Sequence, residues 1–449
     1  MSKIYDLTLS YKLARRYLAF NFKRFYSEYI VIGRENIPAE GPVIFAPNHT
    51  NALMDALAVQ SIAPKNISVT FLARSDIFKN NAVAKFLRFA KIMPAFRMRD
   101  GIENLAKNTE IFNQCVEILE QKNALGIMPE GNQEIERKLR PLAKGIFRIA
   151  FAAQQKVGTL QKVKIVPVGI DYGDILKSNK HVIINIGNPI EVSGYMSSYN
   201  ENPVKTTNEI REKLRIELEN LTLHLSTENH YNCFEIVLEI ANKYVLDELK
   251  FTDSTVARFE ARQEIANRLI SLEKYQPLKI KELELLSTVY MNTLKELKLK
   301  SWIFDNTNYP NSAIFVEILI LTGALPFLIC GFILNCLPFF IPFYIRKHII
   351  KAEFKGFYSS LQLSIGMITF PLFYTLQTFL FYSITGVPLW GGIIFLIIQF
   401  PLGKWALKWY KKAKKLQAKL RYRDLDKKKS SKLLRAQDLR EQIIRMIFK

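Results

Sequence analysis

A histidine and a carboxylate stand close together in residues 47–55, directly after the apolar run 43–46. An imidazole titrates near neutral pH and can take a proton from a hydroxyl group. A nearby carboxylate can fix the tautomer of His49 and stabilise the imidazolium that forms, so Asp55 is the candidate partner. The alternative is a histidine that caps a helix and an aspartate on the exposed face of that helix.

Two arginines follow a proline-bearing run in residues 92–101. Guanidinium groups bind phosphate oxygens in a bidentate way. Arg97 and Arg99 therefore indicate an anion site, and the alternative is a solvated turn.

An apolar strand ends in Pro-Glu-Gly within residues 126–132. Such a turn exposes a carboxylate, at Glu130, together with backbone amides. Gly131 permits a positive φ or a close backbone approach, and its amide is a possible hydrogen-bond donor. The alternative is an ordinary hairpin or a turn between a strand and a helix.

The elements that must position these residues alternate in type between residues 31 and 190. Alternating strands and helices predict a sheet with helices on its faces. The predicted strands are residues 43–46, 69–72, 125–128, 163–168 and 181–186, and the predicted helices include residues 105–121 and 143–155.

In their order and spacing, the Asn-His…Asp, Pro-x-x-Arg and Pro-Glu-Gly blocks and the strand at 166–169 resemble the motifs of the glycerolipid acyltransferase family. The resemblance covers about residues 28–190. It implies an α/β fold, with a mixed sheet flanked by helices. It also implies transfer of a fatty acyl group from a thioester to glycerol-3-phosphate or 1-acylglycerol-3-phosphate (lysophosphatidate).

The resemblance also assigns roles to residues. His49 is the general base and Asp55 orients it, with direct transfer and no acyl-enzyme. The residues expected to bind substrate are Arg97, Arg99, Glu130, Gly131, Lys144 and Pro167. Neither a cofactor nor a metal is expected, and acyl-CoA or acyl-carrier protein is the co-substrate.

The spacing departs from the family pattern at one place. Five residues separate His49 from Asp55, where the family has four. Residues six apart on a regular helix diverge by about 120°. His49 must therefore lie in the turn before the helix, with Thr50 or Asn51 as N-cap.

The net charge of +22 calls for an anionic partner. Residues 404–449 hold seventeen Lys and Arg against four Asp and Glu, and they follow the most apolar part of the chain. A bilayer with anionic lipids is therefore the expected partner, in preference to nucleic acid. The N-terminus shows no pattern of a cleavable signal peptide.

Two apolar stretches predict membrane segments. Residues 356–403 are free of charged side chains and long enough for two spans, with a break at 385–388. Residues 318–345 are also uncharged. The loop 346–355 and the tail from Lys404 are both basic, so both are expected on the cytoplasmic face, and we expect the catalytic domain on the same face. This requires 318–345 to form a re-entrant hairpin, and a single tilted span is the alternative.

The sequence thus predicts five parts. They are an amphipathic interfacial helix at 1–30, an acyltransferase domain at 31–200, a helical segment at 201–312, a membrane region at 313–403 and a basic cytoplasmic tail at 404–449.

Other functions stay open. The extra residue between His49 and Asp55 favours a non-catalytic membrane protein that binds lipid. A transporter or channel would need charged groups inside the apolar segments. The acceptor could also be another lysophospholipid or a lipid A precursor, and the oligomeric state is unknown.

Overall fold

The computed structural model describes residues 3–95, 104–306, 308–352 and 354–448, and for residues 82 and 104–106 the backbone alone. The chain divides into two compact units. The first unit, called the catalytic unit below, holds residues 1–224 and 352–363; the second holds residues 225–351 and 364–449.

A mixed sheet forms the centre of the catalytic unit. In the described residues its strands are β1 (Glu28–Ile32), β2 (Val43–Pro47), β3 (Val69–Arg74), β4 (Ile92–Ala95), β5 (Ala124–Gly126), β6 (Lys164–Tyr172), β7 (His181–Ile186) and β8 (Ile190–Glu191). The order is β1-β7-β6-β2-β5-β3-β4, and β8 pairs with β6. Strand β7 is antiparallel to β6, which confirms the predicted α/β fold with a mixed sheet.

Five neighbouring strands, β6, β2, β5, β3 and β4, are mutually parallel. Their carboxyl ends therefore meet at one edge of the sheet. Ligands of open α/β sheets bind outside this edge. The segments that carry His49 and Glu130 both leave the sheet here.

The helices of the catalytic unit are α1 (Leu9–Phe25), α2 (Ala52–Ile62), α3 (Asn81–Phe89), α4 (Asn104–Glu120), α5 (Gly145–Val157), α6 (Met196–Glu201) and α7 (Pro203–Leu221). Helices α4, α5 and α7 share one hydrophobic cluster with the sheet, through Ile118, Phe147 and Leu214. The domain boundary predicted at residue 200 is therefore too early, because the apolar stripe of α7 completes this core.

Helix α1 has two distinct faces. Tyr11, Arg15 and Phe22 are buried on one face, and Arg15 donates hydrogen bonds to the carbonyls of Ile67 (2.9 Å) and Ala63 (2.8 Å) at the end of α2. At 100° per residue the opposite face gathers apolar side chains in an arc of about 80°. Its exposed members are Leu9, Leu13, Tyr17 and Phe20.

The second unit is helical in the described residues. Its helices are α8 (Tyr231–Glu248), α9 (Thr255–Tyr275), α10 (Pro277–Leu297), α11 (Asn311–Gly323), α12 (Leu325–Tyr344), the greater part of α13 (Tyr358–Thr385), α14 (Leu389–Lys427) and α15 (Ser431–Phe448). Helix α15 packs on α8, α9 and α10 and buries Leu433, Ala436, Leu439 and Ile443. The predicted basic tail is thus helical: its first part continues α14 and its second part is the packed helix α15.

Three helical stretches in the described ranges are long and apolar enough to cross a membrane: Leu325–Ile350, Lys355–Thr385 and Leu389–Lys427. The break predicted at 385–388 separates α13 from α14, and Gly386 there has φ 61°. The turn expected within 318–345 is replaced by the short break at Ala324, after which α12 is continuous.

Helix α12 stays continuous although Pro338 and Pro342 lie inside it. A proline in a helix leaves the carbonyl four residues earlier without its donor. Here side chains of α13 supply the missing donors: Gln377 bonds the Leu334 carbonyl (3.1 Å) and Thr369 bonds the Pro338 carbonyl (3.1 Å). The re-entrant hairpin was a wrong prediction because these bonds between helices replace the ones that the prolines remove.

Candidate active site

The histidine and the aspartate meet at the carboxyl edge of the sheet. His49 lies in the turn between β2 and α2, and its Nδ1 is 2.9 Å from Oδ2 of Asp55. Because a carboxylate accepts hydrogen bonds, Nδ1 carries the proton and Nε2 is left with its lone pair. The His49 side chain keeps 18% of its exposure whereas Asp55 keeps 0%, so the pair can meet a substrate only through the imidazole.

The buried carboxylate of Asp55 accepts three further hydrogen bonds. The backbone amides of Thr50 (3.0 Å) and Asn51 (2.7 Å) donate to Oδ2. The hydroxyl of Tyr172, at the end of β6, donates to Oδ1 at 2.7 Å. Asp55 also lies in the first turn of α2, where the helix dipole favours a negative charge. These donors offset the cost of burying the charge.

The extra residue between His49 and Asp55 is accommodated at the start of α2. Asn51 is the N-cap, without a side-chain capping bond. Ala52 has φ 43°, in the left-handed region. This costs a residue with a β-carbon about 1–2 kcal/mol. The turn at Ala52 returns Asp55 to His49 despite the longer spacing.

Two buried tyrosines lie against each other beside Asp55. The rings of Tyr26 and Tyr172 are stacked with centroids 5.9 Å apart. Burial, followed by the nearby charge of Asp55, raises the pKa of both hydroxyls well above the ordinary value. Tyr172 therefore stays protonated and keeps its bond to Asp55 over the working pH range.

Glu130 bridges two segments. Its Oε1 accepts the backbone amide of His49 (2.7 Å) and its Oε2 accepts that of Arg140 (3.0 Å). Burial raises the pKa of Glu130 to about 7, although both bonds and nearby positive charge oppose the shift. Gly131 has φ 68°, but its amide donates to the Met128 carbonyl (3.2 Å). The turn itself uses this amide, and the role of Gly131 in binding substrate stays a prediction.

Other side chains fix the end of β6 beside the histidine turn. The Asn48 amide exchanges two hydrogen bonds with the backbone of Ile170, at 2.7 and 3.2 Å. Arg137 donates to Asp171 Oδ1 (2.6 Å) and to the Tyr172 carbonyl (2.9 Å). The small cavity at this edge is lined by residues that include Asn48, Thr50, Glu130, Arg137, Lys138 and Tyr172.

The other predicted substrate-binding residues are placed differently. Arg97 and Arg99 lie outside the described residues. Lys144 is exposed at the start of α5. Pro167 is buried within β6, in register with Ala46 of β2. Their roles stay predictions.

The residues that sequence reasoning missed are Tyr172, Asn48 and Arg137. Asn48 was visible as the neighbour of His49, but its partner strand was not. Tyr172 is 117 positions from Asp55, so no local spacing indicates the contact. The only sequence signal for Tyr172 is its position just after the strand predicted at 163–168, and this signal is weak.

The profile of the acyltransferase family matches residues 28–171. This part of the chain, about a third of its length, is therefore similar to that family. Glycerol-3-phosphate O-acyltransferase 2 of Saccharomyces cerevisiae is 31% identical over 116 residues, which are 26% of this chain and 16% of the yeast protein. Glycerol-3-phosphate O-acyltransferase 1 of the same yeast is 27% identical over 135 residues, 30% of this chain and 18% of its own.

The matched part spans less than a fifth of each yeast relative. Among solved structures, the 1-acyl-sn-glycerophosphate acyltransferase PlsC of Thermotoga maritima aligns with a TM-score of 0.33 and 20% identity, over 48% of this chain and 84% of its own.

Replacing Ala52 with glycine should stabilise the catalytic unit by roughly 1 kcal/mol, because glycine adopts the left-handed region without the β-carbon penalty. Ala52→Val should destabilise it and lower turnover, because a β-branched residue at positive φ forces the turn to move. Thermal unfolding in detergent measures both effects. A glycine variant that unfolds below the wild type would contradict this account of the turn.

The raised pKa of Glu130 predicts a pH-dependent stability. The folded unit retains the Glu130 proton up to about pH 7, whereas an unfolded chain loses it near 4.5. The folded state thus holds an extra proton between these values. Its free energy of unfolding should fall by roughly 3 kcal/mol as the pH rises through this window.

Glu130→Gln should remove this dependence. The unfolding temperatures of wild type and variant are measured from pH 4.5 to 8. As the pH rises, the unfolding temperature of the variant should increase relative to that of the wild type. Glu136→Gln, an exposed glutamate on the same loop, is the control. Parallel curves for wild type and Glu130→Gln would refute the assignment.

Proposed function

We propose that the chain is a membrane-associated O-acyltransferase that moves a fatty acyl group from acyl-CoA or acyl-carrier protein to a hydroxyl of a glycerol-phosphate acceptor. The observation that carries the proposal is the contact between His49 and Asp55, with the aspartate fully buried and four times hydrogen-bonded. The acyltransferase-family match over residues 28–171 supports it.

In the proposed mechanism Nε2 of His49 takes the proton of the acceptor hydroxyl as that oxygen attacks the thioester carbonyl. Asp55 stabilises the imidazolium that forms. The carbon–sulfur bond then breaks, and the thiolate leaves. A thiol has an ordinary pKa near 8.5, so the thiolate departs readily and can recover the proton from His49.

Direct transfer is favoured over a covalent acyl-enzyme on cysteine. Cys115 and Cys233 are both buried. Burial raises the pKa of the Cys115 thiol to about 12 and that of Cys233 to about 11. Thiols this weakly acidic and this inaccessible do not serve as nucleophiles.

The acceptor phosphate needs cationic ligands close to His49. Arg97 and Arg99 remain the residues that the family resemblance nominates. Arg140 is a further candidate, because its backbone amide shares the Glu130 carboxylate with that of His49. The guanidinium of Arg140 meets only the exposed Glu134, at 3.3 Å, among the described ion pairs.

A non-catalytic lipid-binding protein is the alternative function. The extra residue between His49 and Asp55 was its support, yet the two side chains lie 2.9 Å apart. An acyltransferase for another lysolipid shares the same chemistry. The assay described below, in which three acceptors are offered separately, distinguishes these possibilities.

The membrane part of the proposal rests on two features of the chain. Three described helices are long and apolar enough to span a bilayer. The exposed stripe of α1, with Leu13 and Phe20 at its centre, is joined by Lys12, Arg16, Lys23 and Arg24. Apolar and basic side chains on one helix face suit the interface of an anionic membrane. We infer that α1 lies on the surface of the membrane.

His49→Ala should lower kcat by about two to four orders of magnitude, which is the usual worth of a general base. It should lower the unfolding temperature only slightly, because three of the four hydrogen bonds to Asp55 remain. The measurement is thiol release from palmitoyl-CoA and from palmitoyl-acyl-carrier protein by detergent-purified protein. Glycerol-3-phosphate, dihydroxyacetone phosphate and lysophosphatidate are offered separately. His348→Ala, an exposed histidine outside the catalytic unit, is the matched control.

Thiol release with one acceptor that is lost in His49→Ala and kept in His348→Ala would establish reaction and substrate together. Thiol release when no acceptor is added would indicate a hydrolase. Folded wild-type protein that releases no thiol from either donor would favour the non-catalytic function.

The exposed stripe of α1 should contact lipid. A polarity-sensitive dye on Leu13→Cys, in a protein with Cys330 and Cys336 replaced by alanine, should be quenched by spin-labelled lipids in anionic proteoliposomes. Leu160→Cys, an equally apolar and more exposed position of the same unit, is the control and should not be quenched. Equal quenching at both positions would mean that α1 does not lie on the membrane.

A further inference from the structure

A serine far along the chain is bonded to the turn that carries the histidine. The hydroxyl of Ser359 donates to Oδ1 of Asn51 at 2.6 Å, across 308 positions of sequence. Both side chains are fully enclosed, with 1% exposure each. Residues 352–363 belong to the catalytic unit, so this contact is part of the architecture of that unit.

Ser359 lies in the first turn of α13, and a second bond supports its position. Gln362 Nε2 donates to the hydroxyl of Ser178 at 3.3 Å. The short segment before α13 also packs on α2. The start of α13 is therefore docked on the catalytic unit at more than one point, although the stretch Lys355–Thr385 has the length and apolarity of a membrane span.

Asn51 connects this docked segment to the buried carboxylate. Its backbone amide donates to Asp55 Oδ2 at 2.7 Å, and its side-chain amide donates to the Ile175 carbonyl at 3.4 Å. The residue is held on one side by Ser359 and on the other by the segment after β6. If the Asn51 side chain becomes more mobile, the Asn51 backbone amide that donates to Asp55 moves with it.

We propose that Ser359 and Asn51 form a positioning pair, through which the docked start of α13 holds the turn that carries His49 and Asp55 in its reactive geometry. The proposal rests on the proposed acyl transfer for its kinetic readout. It makes Ser359, in the first turn of α13, a positioning residue, and it makes turnover depend on whether the Ser359–Asn51 contact is formed.

A neighbouring serine distinguishes positioning from simple packing. Ser360 is also buried, at 6% exposure, and its hydroxyl has no partner among the described residues. Ser360→Ala therefore removes the same atom from the same turn without breaking a hydrogen bond. Ser359→Ala leaves Oδ1 of Asn51 buried without a donor, and an unsatisfied buried group weakens its surroundings.

The test compares Ser359→Ala with Ser360→Ala in the full-length protein in detergent. Ser359→Ala should lower kcat about tenfold with KM for donor and acceptor nearly unchanged, because the base is misplaced while the binding groups remain. The double variant Asn51→Ala/Ser359→Ala should be no slower than Asn51→Ala alone, because both changes remove one bond. Ser360→Ala should keep wild-type values.

Hydrogen exchange of the amides supplies a readout that needs no activity. A peptide covering residues 48–55 contains the Thr50 and Asn51 amides, and it should exchange faster in Ser359→Ala and unchanged in Ser360→Ala. Should Ser359→Ala fail to fold, Ser359→Cys retains the volume with a weaker donor and takes its place.

Equal kcat and equal exchange in the two variants would overturn the pair. Faster exchange throughout the unit together with a fall in unfolding temperature would also overturn it, since that marks a merely structural contact. A wild type that is inactive with every acceptor would instead refute the proposed function, and the exchange of residues 48–55 would still decide the positioning.

Discussion

Burial of one carboxylate governs the local architecture. The carboxylate of Asp55 is fully buried. An unpaired charge at that position would cost several kcal/mol of folding free energy. Its donors come from the histidine turn and from the end of β6. Both segments must therefore be held at one point, which explains why Arg137 fixes the end of β6 and Asn48 joins it to the turn.

The sequence predicted the parts whose causes are local. Strands β2, β3, β5, β6 and β7 follow from short β-rich runs, whereas β1, β4 and β8 were not predicted. The break at 385–388 follows from a glycine and a proline. The proximity of His49 and Asp55 was predicted by their spacing and by family resemblance. Tyr172 and Ser359 could not be predicted, because each meets the site only through the fold, 117 and 308 positions from its partner.

The errors share one physical origin, which is contact between segments that lie far apart in the sequence. Pro338 and Pro342 predicted a turn, but α13 donates to the carbonyls that they leave free. Contiguous domain boundaries failed likewise, because residues 352–363 return to a unit that otherwise ends at His224.

The Glu130 bridge has a mechanical consequence. The two oxygens of a carboxylate are fixed by covalent bonds, so the loop at Arg140 and the backbone of His49 are tied to one rigid group. A displacement of that loop would therefore also displace the backbone of the base, since one carboxylate joins the two.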